Sequence, residues 1–275
     1  MYSIIADSCC DMTPELRKEL GVISVPLTLT LDGKTYEDDD KLDLPAFMKE
    51  MAACKGHIGS AAPSPHLYQE AFAKYSPTFG ITLSKNLSST YQSAMIGQKM
   101  AKDAGAHTYI FDSKSASAGE ILIAVELRKL IDQALEKSEI ITRMENFIAH
   151  MKTFFVLDSV ENLQKNGRLN TIVGKIISML GIKPIMGADG DGKIALFSHA
   201  RGLKKALLAM VDLIGSSGVD TRHRDMVITH CNNKSMAEEL KKWIERKYSF
   251  QKIWIVPTRG VSSVYANEKG IVMAF

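Results

Sequence analysis

The stretch that most constrains the fold runs from residue 78 to residue 134, where an apolar segment, a small polar loop and a long apolar-patterned segment follow one another twice. Phe79-Gly80-Ile81-Thr82-Leu83 reads as a strand, Ser84 to Asn86 as a turn and residues 88–104 as a helix. Thr108-Tyr109-Ile110-Phe111, the loop from Asp112 to Ala116 and a helix over residues 118–134 then repeat the order. Consecutive parallel strands need a crossover, and a helix supplies it, so two such units predict a parallel sheet. Ligands of parallel sheets gather at the carboxyl ends of the strands, which puts the loops at Ser84 and Asp112 on the working edge.

The rest of the chain extends this pattern and then departs from it. Residues 2–6 and 22–31 read as strands around a short helix entered at Thr13-Pro14, with further helices over residues 44–53 and 65–75. Near residue 150 the rhythm changes. A strand over residues 153–157 leads to a short helix over 160–164, closed by Lys165-Asn166-Gly167-Arg168, where Gly167 suits a left-handed cap. A helix through residues 176–180 precedes a hairpin, residues 182–187 and 193–198, turning at Asp189-Gly190-Asp191-Gly192. Helices over 201–214 and 235–247 flank a strand at 226–229, and strands near 252–256 and 271–275 finish the chain. The expectation is an α/β protein. Residues 1–150 form an N-terminal parallel-sheet α/β domain, and residues 151–275 a C-terminal α+β domain with a mixed or antiparallel sheet.

Composition narrows the function by exclusion. Of 275 residues, 45% are hydrophobic and 24% charged, and the net charge of +3 is spread over interleaved acids and bases, which argues against nucleic acid as a partner. The first seven residues lack a basic region followed by an apolar core, and no apolar run reaches bilayer length, so a soluble cytoplasmic protein without membrane insertion is expected. Cys9, Cys10, Cys54 and Cys231 offer no disulfide framework, and the seven histidines have no metal-binding spacing, so no metal is expected. Nucleotide-binding glycine motifs and the nucleophile elbow of hydrolases are absent.

Two serine-rich stretches remain. Ser60-Ala61-Ala62-Pro63-Ser64-Pro65 and Ser84-Lys85-Asn86-Leu87-Ser88-Ser89-Thr90-Tyr91-Gln92 each open an apparent helix. A helix opening carries unpaired N–H groups and the positive end of a dipole, so such serines serve either as ordinary caps or as a joint grip on one anion. Asp7-Ser8 and Asp112-Ser113, at two strand ends, fit strand termination and an edge site equally.

Taken in order, Asp7-Ser8, Ser60 to Pro65, Leu87 to Ala94, Asp112-Ser113-Lys114-Ser115, Leu163 to Arg168 and Lys183-Pro184-Ile185 resemble the DegV family over nearly the whole chain. That resemblance implies a bacterial cytoplasmic protein that binds a long-chain fatty acid in an apolar tunnel, without catalysis or a cofactor of its own. In some members it implies presentation of the lipid to a separate ATP-binding kinase subunit. The family's TSQPS motif falls on Ser60 to Ser64, putting Ser60 in place of a carboxylate-binding threonine. Its SxxLSGTYQSA motif puts the second carboxylate-binding serine at Ser88, with Ser89 replacing glycine. Its KGGRI motif makes Arg168 the candidate cation beside the head group or at a partner contact, while the residues alone read as well as a surface cation near a helix C-terminus. Where the family has a histidine, Tyr265 or its neighbour is aligned, and a phenol hydrogen-bonds a carboxylate without supplying a positive charge. Two other readings stay open at this point: an enzyme acting on a small anionic substrate at the same helix openings, and a lipid-sensing regulatory module.

Overall fold

The computed structural model describes residues 2–169 and 181–275. Four strands, β1 (Ser3–Asp7), β2 (Val22–Val25), β6 (Thr78–Thr82) and β7 (Thr108–Asp112), form a parallel sheet in the order β2-β1-β6-β7. Helix α1 (Pro14–Leu20) joins β1 to β2; Thr13 caps it by accepting from Leu16 N, and Gly21 ends it at φ 65°. Helix α4 (Thr90–Asp103) joins β6 to β7. All five residues of β6 are buried, as expected of a strand covered on both faces.

Between β2 and β6 the chain builds a small antiparallel sheet from β3 (Thr28–Leu31), β4 (Lys34–Glu37) and β5 (Ile58–Ala61), ordered β4-β3-β5, with α2 (Leu44–Ala53) inserted and α3 (Pro65–Tyr75) following. The single strand expected over residues 22–31 is therefore two strands in two sheets. Pro26 lies at the break, where it cannot donate to a ladder.

Helices α5 (Ala118–Asp132) and α6 (Lys137–His150) lead into the second large sheet. Its strands are β8 (Thr153–Val156), β9 (Ile182–Ala188), β10 (Ile194–Arg201), β11 (Met226–His230), β12 (Ile253–Pro257) and β13 (Ile271–Ala274), in the order β10-β9-β8-β13-β11-β12. Only β11 and β12 run parallel; the sheet is mixed. Four helices complete the described residues: α7 (Glu161–Lys165), α8 (Leu203–Ser216), α9 (Lys234–Glu245) and α10 (Gly260–Ala266). Gly167 has the left-handed φ, 72°, that its place after α7 predicts. The helix expected through residues 176–180 lies outside the described residues.

Helix α5 is the centre of the molecule. Ile121, Leu122, Ala124 and Val125 share one apolar cluster with Ile4, Phe79 and Phe111 of the parallel sheet and with Val227, Val256 and Ala274 of the mixed sheet. A second cluster joins Leu29 and Leu31 of the small sheet, Phe47 and Met51 of α2, and Leu157, Leu163 and Val264 from beyond residue 150. Among the described residues no helix is long and apolar enough to cross a membrane.

Candidate functional site

The loops that leave the carboxyl ends of β1, β6 and β7 are shaped by the two Asp-Ser pairs. Asp7 accepts from Cys9 N at 2.9 Å and from Leu83 N at 2.7 Å. Asp112 repeats the arrangement with Lys114 N at 3.1 Å and Lys85 N at 3.2 Å. Each carboxylate thus closes its own turn and reaches across to the loop after β6. Ser8 Oγ accepts from Leu27 N and Ser113 Oγ from Ser115 N, so the serines also fold loops.

One cavity of about 880 Å³, its open mouth included, lies where these loops meet β8, the β9–β10 hairpin and α10. Its walls are mostly apolar, with Leu83, Phe155, Leu157, Leu163, Ile194 and Val261 among them. Ser60, Ser88, Arg168 and Tyr265 also line it and are each half-buried, whereas Cys9, Ser115, Ser117 and Ser262 are fully buried deeper in. Burial holds the Cys9 thiol well above its ordinary pKa, so it is an un-ionised part of the wall.

The half-buried polar groups form a connected rim. Ser60 Oγ and Tyr265 OH are 2.9 Å apart in a hydrogen bond that either can donate. The Arg168 guanidinium stands 5.8 Å from the centre of the Tyr265 ring, within cation–π range. Its Nε donates to Leu87 O at 3.2 Å and its Nη1 to Asn166 O, contacts that orient the guanidinium without neutralising its charge. Ser88, next to Leu87, accepts from Thr90 N at 3.2 Å and pairs with Thr90 Oγ1 at 2.8 Å, placing its hydroxyl at the opening of α4. Two alcohols, a phenol and a cation at the edge of an apolar hollow can hold an anionic head while its remainder lies inside.

Two sequence expectations change here. Ser60 does not open a helix: it lies on β5 opposite Leu29. Pro63 and Pro65 hold the preceding residues extended, and α3 begins only at Pro65, with Ser64 as its cap accepting from Leu67 N. Ser89 precedes α4 but is exposed and makes no side-chain capping bond, and it does not line the cavity.

The sequence reading missed the support of Tyr265. Helix α10 is short and buried, and two distant aspartates hold its start. Asp38 accepts from Gly260 N at 2.9 Å and Val261 N at 2.8 Å, and Asp11 from Arg259 N at 2.7 Å. Burial raises both carboxyls above their usual range, Asp11 to about 7. Asp38 sits in the acidic run from Glu37 to Asp40, which looks like a solvated loop; nothing local marks it as a cap for a helix more than two hundred residues later.

Comparison with known proteins adds to this geometry. The DegV family model matches residues 1–275. A DegV domain-containing protein of Streptococcus gordonii is 31% identical over 278 residues, covering 100% of this chain and 98% of the relative. Among solved structures, a DegV family protein from Ruminococcus gnavus with vaccenic acid superposes with a TM-score of 0.94 at 33% identity, covering 100% of this chain and 99% of its own. The Streptococcus pneumoniae fatty acid kinase (Fak) B3 protein loaded with linoleic acid gives 0.93 at 32% identity, with the same coverage.

Proposed function

This chain belongs to the DegV family, and from that premise we propose that it binds a long-chain fatty acid in the apolar cavity and presents the carboxylate to a separate ATP-binding kinase subunit. The observation that carries the reading is the rim of Ser60, Ser88, Arg168 and Tyr265 on a hollow whose walls are otherwise apolar. Ser60 and Ser88 donate to the carboxylate, Tyr265 supports Ser60, and Arg168 supplies the positive charge that the phenol does not. The fatty acids in the two structural relatives support the choice of ligand, and the kinase name of one supports the choice of partner.

The magnitudes assign a role to each part. Burying a sixteen-carbon tail, at about 0.8 kcal/mol per methylene, contributes on the order of 10 kcal/mol before the entropy of association is subtracted. Each hydrogen bond to the charged head adds about 1.5–3 kcal/mol. The tail therefore dominates affinity, and the rim fixes where the head rests. A small polar anion would leave the apolar walls uncovered, which disfavours the small-substrate enzyme reading.

Protein purified from its native host is expected to release one long-chain fatty acid per chain on solvent extraction, identified by mass spectrometry. Repeated extraction without lipid would overturn the binding reading. Presentation is tested separately by adding an ATP-binding fatty acid kinase subunit and ATP to the lipid-loaded protein. Acyl phosphate trapped with hydroxylamine is the expected product, and its absence with an active kinase would leave a binding protein alone.

A further inference from the structure

Behind the cavity wall at Cys9 four carboxyl groups are buried together: Asp7, Asp11, Asp38 and Glu120 are each 1% exposed or less. The three aspartates accept backbone amides, as described above. Glu120, in the first turn of α5, does not: among the described residues neither of its oxygens has a hydrogen-bond partner. A Glu120 oxygen, an Asp7 oxygen and the Cys9 sulfur lie within 4.8 Å of one another. Two carboxylates at such range, out of water, cannot both hold a charge, whereas one protonated carboxyl has an O–H to give the other.

We propose that Asp7 and Glu120 share a single proton, and that this proton ties the end of β1, the loop after β6 and the start of α5 together beneath the cavity. Asp7 is the acceptor, since its two oxygens are already directed by Cys9 N and Leu83 N. Glu120 is the donor that otherwise has no partner.

The surroundings favour the proton. The groups facing the pair are Cys9, Cys10 and Asp11 from the loop after β1, Asp38 from the segment after β4 and the Tyr68 phenol of α3. The neighbouring cations act elsewhere: Arg17 of α1 bears on Cys10 and Arg259 on Asp38. Burial is the largest effect on both members and raises both, Glu120 well above its ordinary range, so the pair as a unit holds its proton far above the usual carboxylate range.

The sign follows from linkage. In the unfolded chain both carboxyls titrate near pH 4, so above that value the native state keeps a proton that the unfolded state has lost. Stability is complete below the unfolded values and falls as pH rises toward 7. Each proton retained makes the unfolding constant rise about tenfold per pH unit. Glu120→Gln keeps the shape and donates an N–H to Asp7 without titrating. Urea unfolding between about pH 5 and 7 should therefore give, for E120Q, a slope of log unfolding constant against pH about one lower than the parent. Infrared spectroscopy of the unmodified protein at neutral pH should show a protonated-carboxyl stretch that shifts in D2O, a readout that does not depend on the variant folding. Equal slopes, absence of that band, or a tightly bound divalent ion in metal analysis of the native protein would each overturn the shared proton.

Discussion

Ser60 and Tyr265 hold each other's hydroxyls, so a carboxylate arriving at the rim meets donors already aimed. Ser60→Ala and Ser88→Ala should each weaken fatty-acid binding by about 1.5–3 kcal/mol, at least tenfold in dissociation constant, measured by displacement of a fluorescent fatty acid. The lipid-free protein should lose only about 0.5–2 kcal/mol of urea stability in either variant, the cost of the hydrogen bonds that Ser88 makes to Thr90 and Ser60 to Tyr265. Tyr265→Phe keeps the ring beneath Arg168 and loses only a neutral hydrogen bond, so its expected cost is smaller, about 0.5–1.5 kcal/mol. A loss for Tyr265→Phe larger than for Ser60→Ala would mean that the phenol contacts the head group directly. Ser88 was legible in the sequence because its hydroxyl serves the helix that follows it. Ser60 was legible as a residue but not as a position, because its strand pairs with Leu29, about thirty residues earlier.

Elements close the cavity as well as line it. The tip of the β9–β10 hairpin is held by three side chains: Ser84 Oγ donates to Gly192 O at 2.9 Å, Asn86 Nδ2 to Asp191 O at 2.7 Å and Lys114 Nζ to Gly190 O at 3.2 Å. Gly192 has φ 80°, and a Cβ there would lie 2.6 Å from both Lys114 Cα and Ser84 Oγ. Gly192→Ala should cost about 1–3 kcal/mol in urea unfolding and speed fatty-acid release, because it strains the backbone and lifts the tip. Gly190→Ala, where a Cβ meets nothing within 4 Å, is the matched control and should be neutral. This hairpin was readable from its Asp-Gly turn and flanking apolar runs, as were the two βα units around Ser84 and Asp112. Helix α6 was within reach too, since Ile140, Met144 and Ile148 recur every four residues on its buried face. Strand β5 and helix α10 were not. Ile58-Gly59-Ser60-Ala61 has no alternation of its own, and Gly260-Val261-Ser262-Ser263 is a poor helix former kept helical by Asp11 and Asp38.

At the scale of the whole molecule, the change of rhythm near residue 150 marks where the chain passes from the parallel to the mixed sheet, yet the apolar clusters run across it. Unfolding should therefore be a single transition. Both tryptophans, Trp243 and Trp254, lie in the second half, so their fluorescence reports on the mixed sheet while far-ultraviolet dichroism reports on the whole. The two curves should coincide in urea, and an earlier fluorescence change would show the halves parting. The cause is helix α5, which packs against strands of both sheets. A cover held in common leaves neither sheet transferable. Gene fusion or recombination that carried one away would strand the helix with an uncovered side or the other sheet with a bare one.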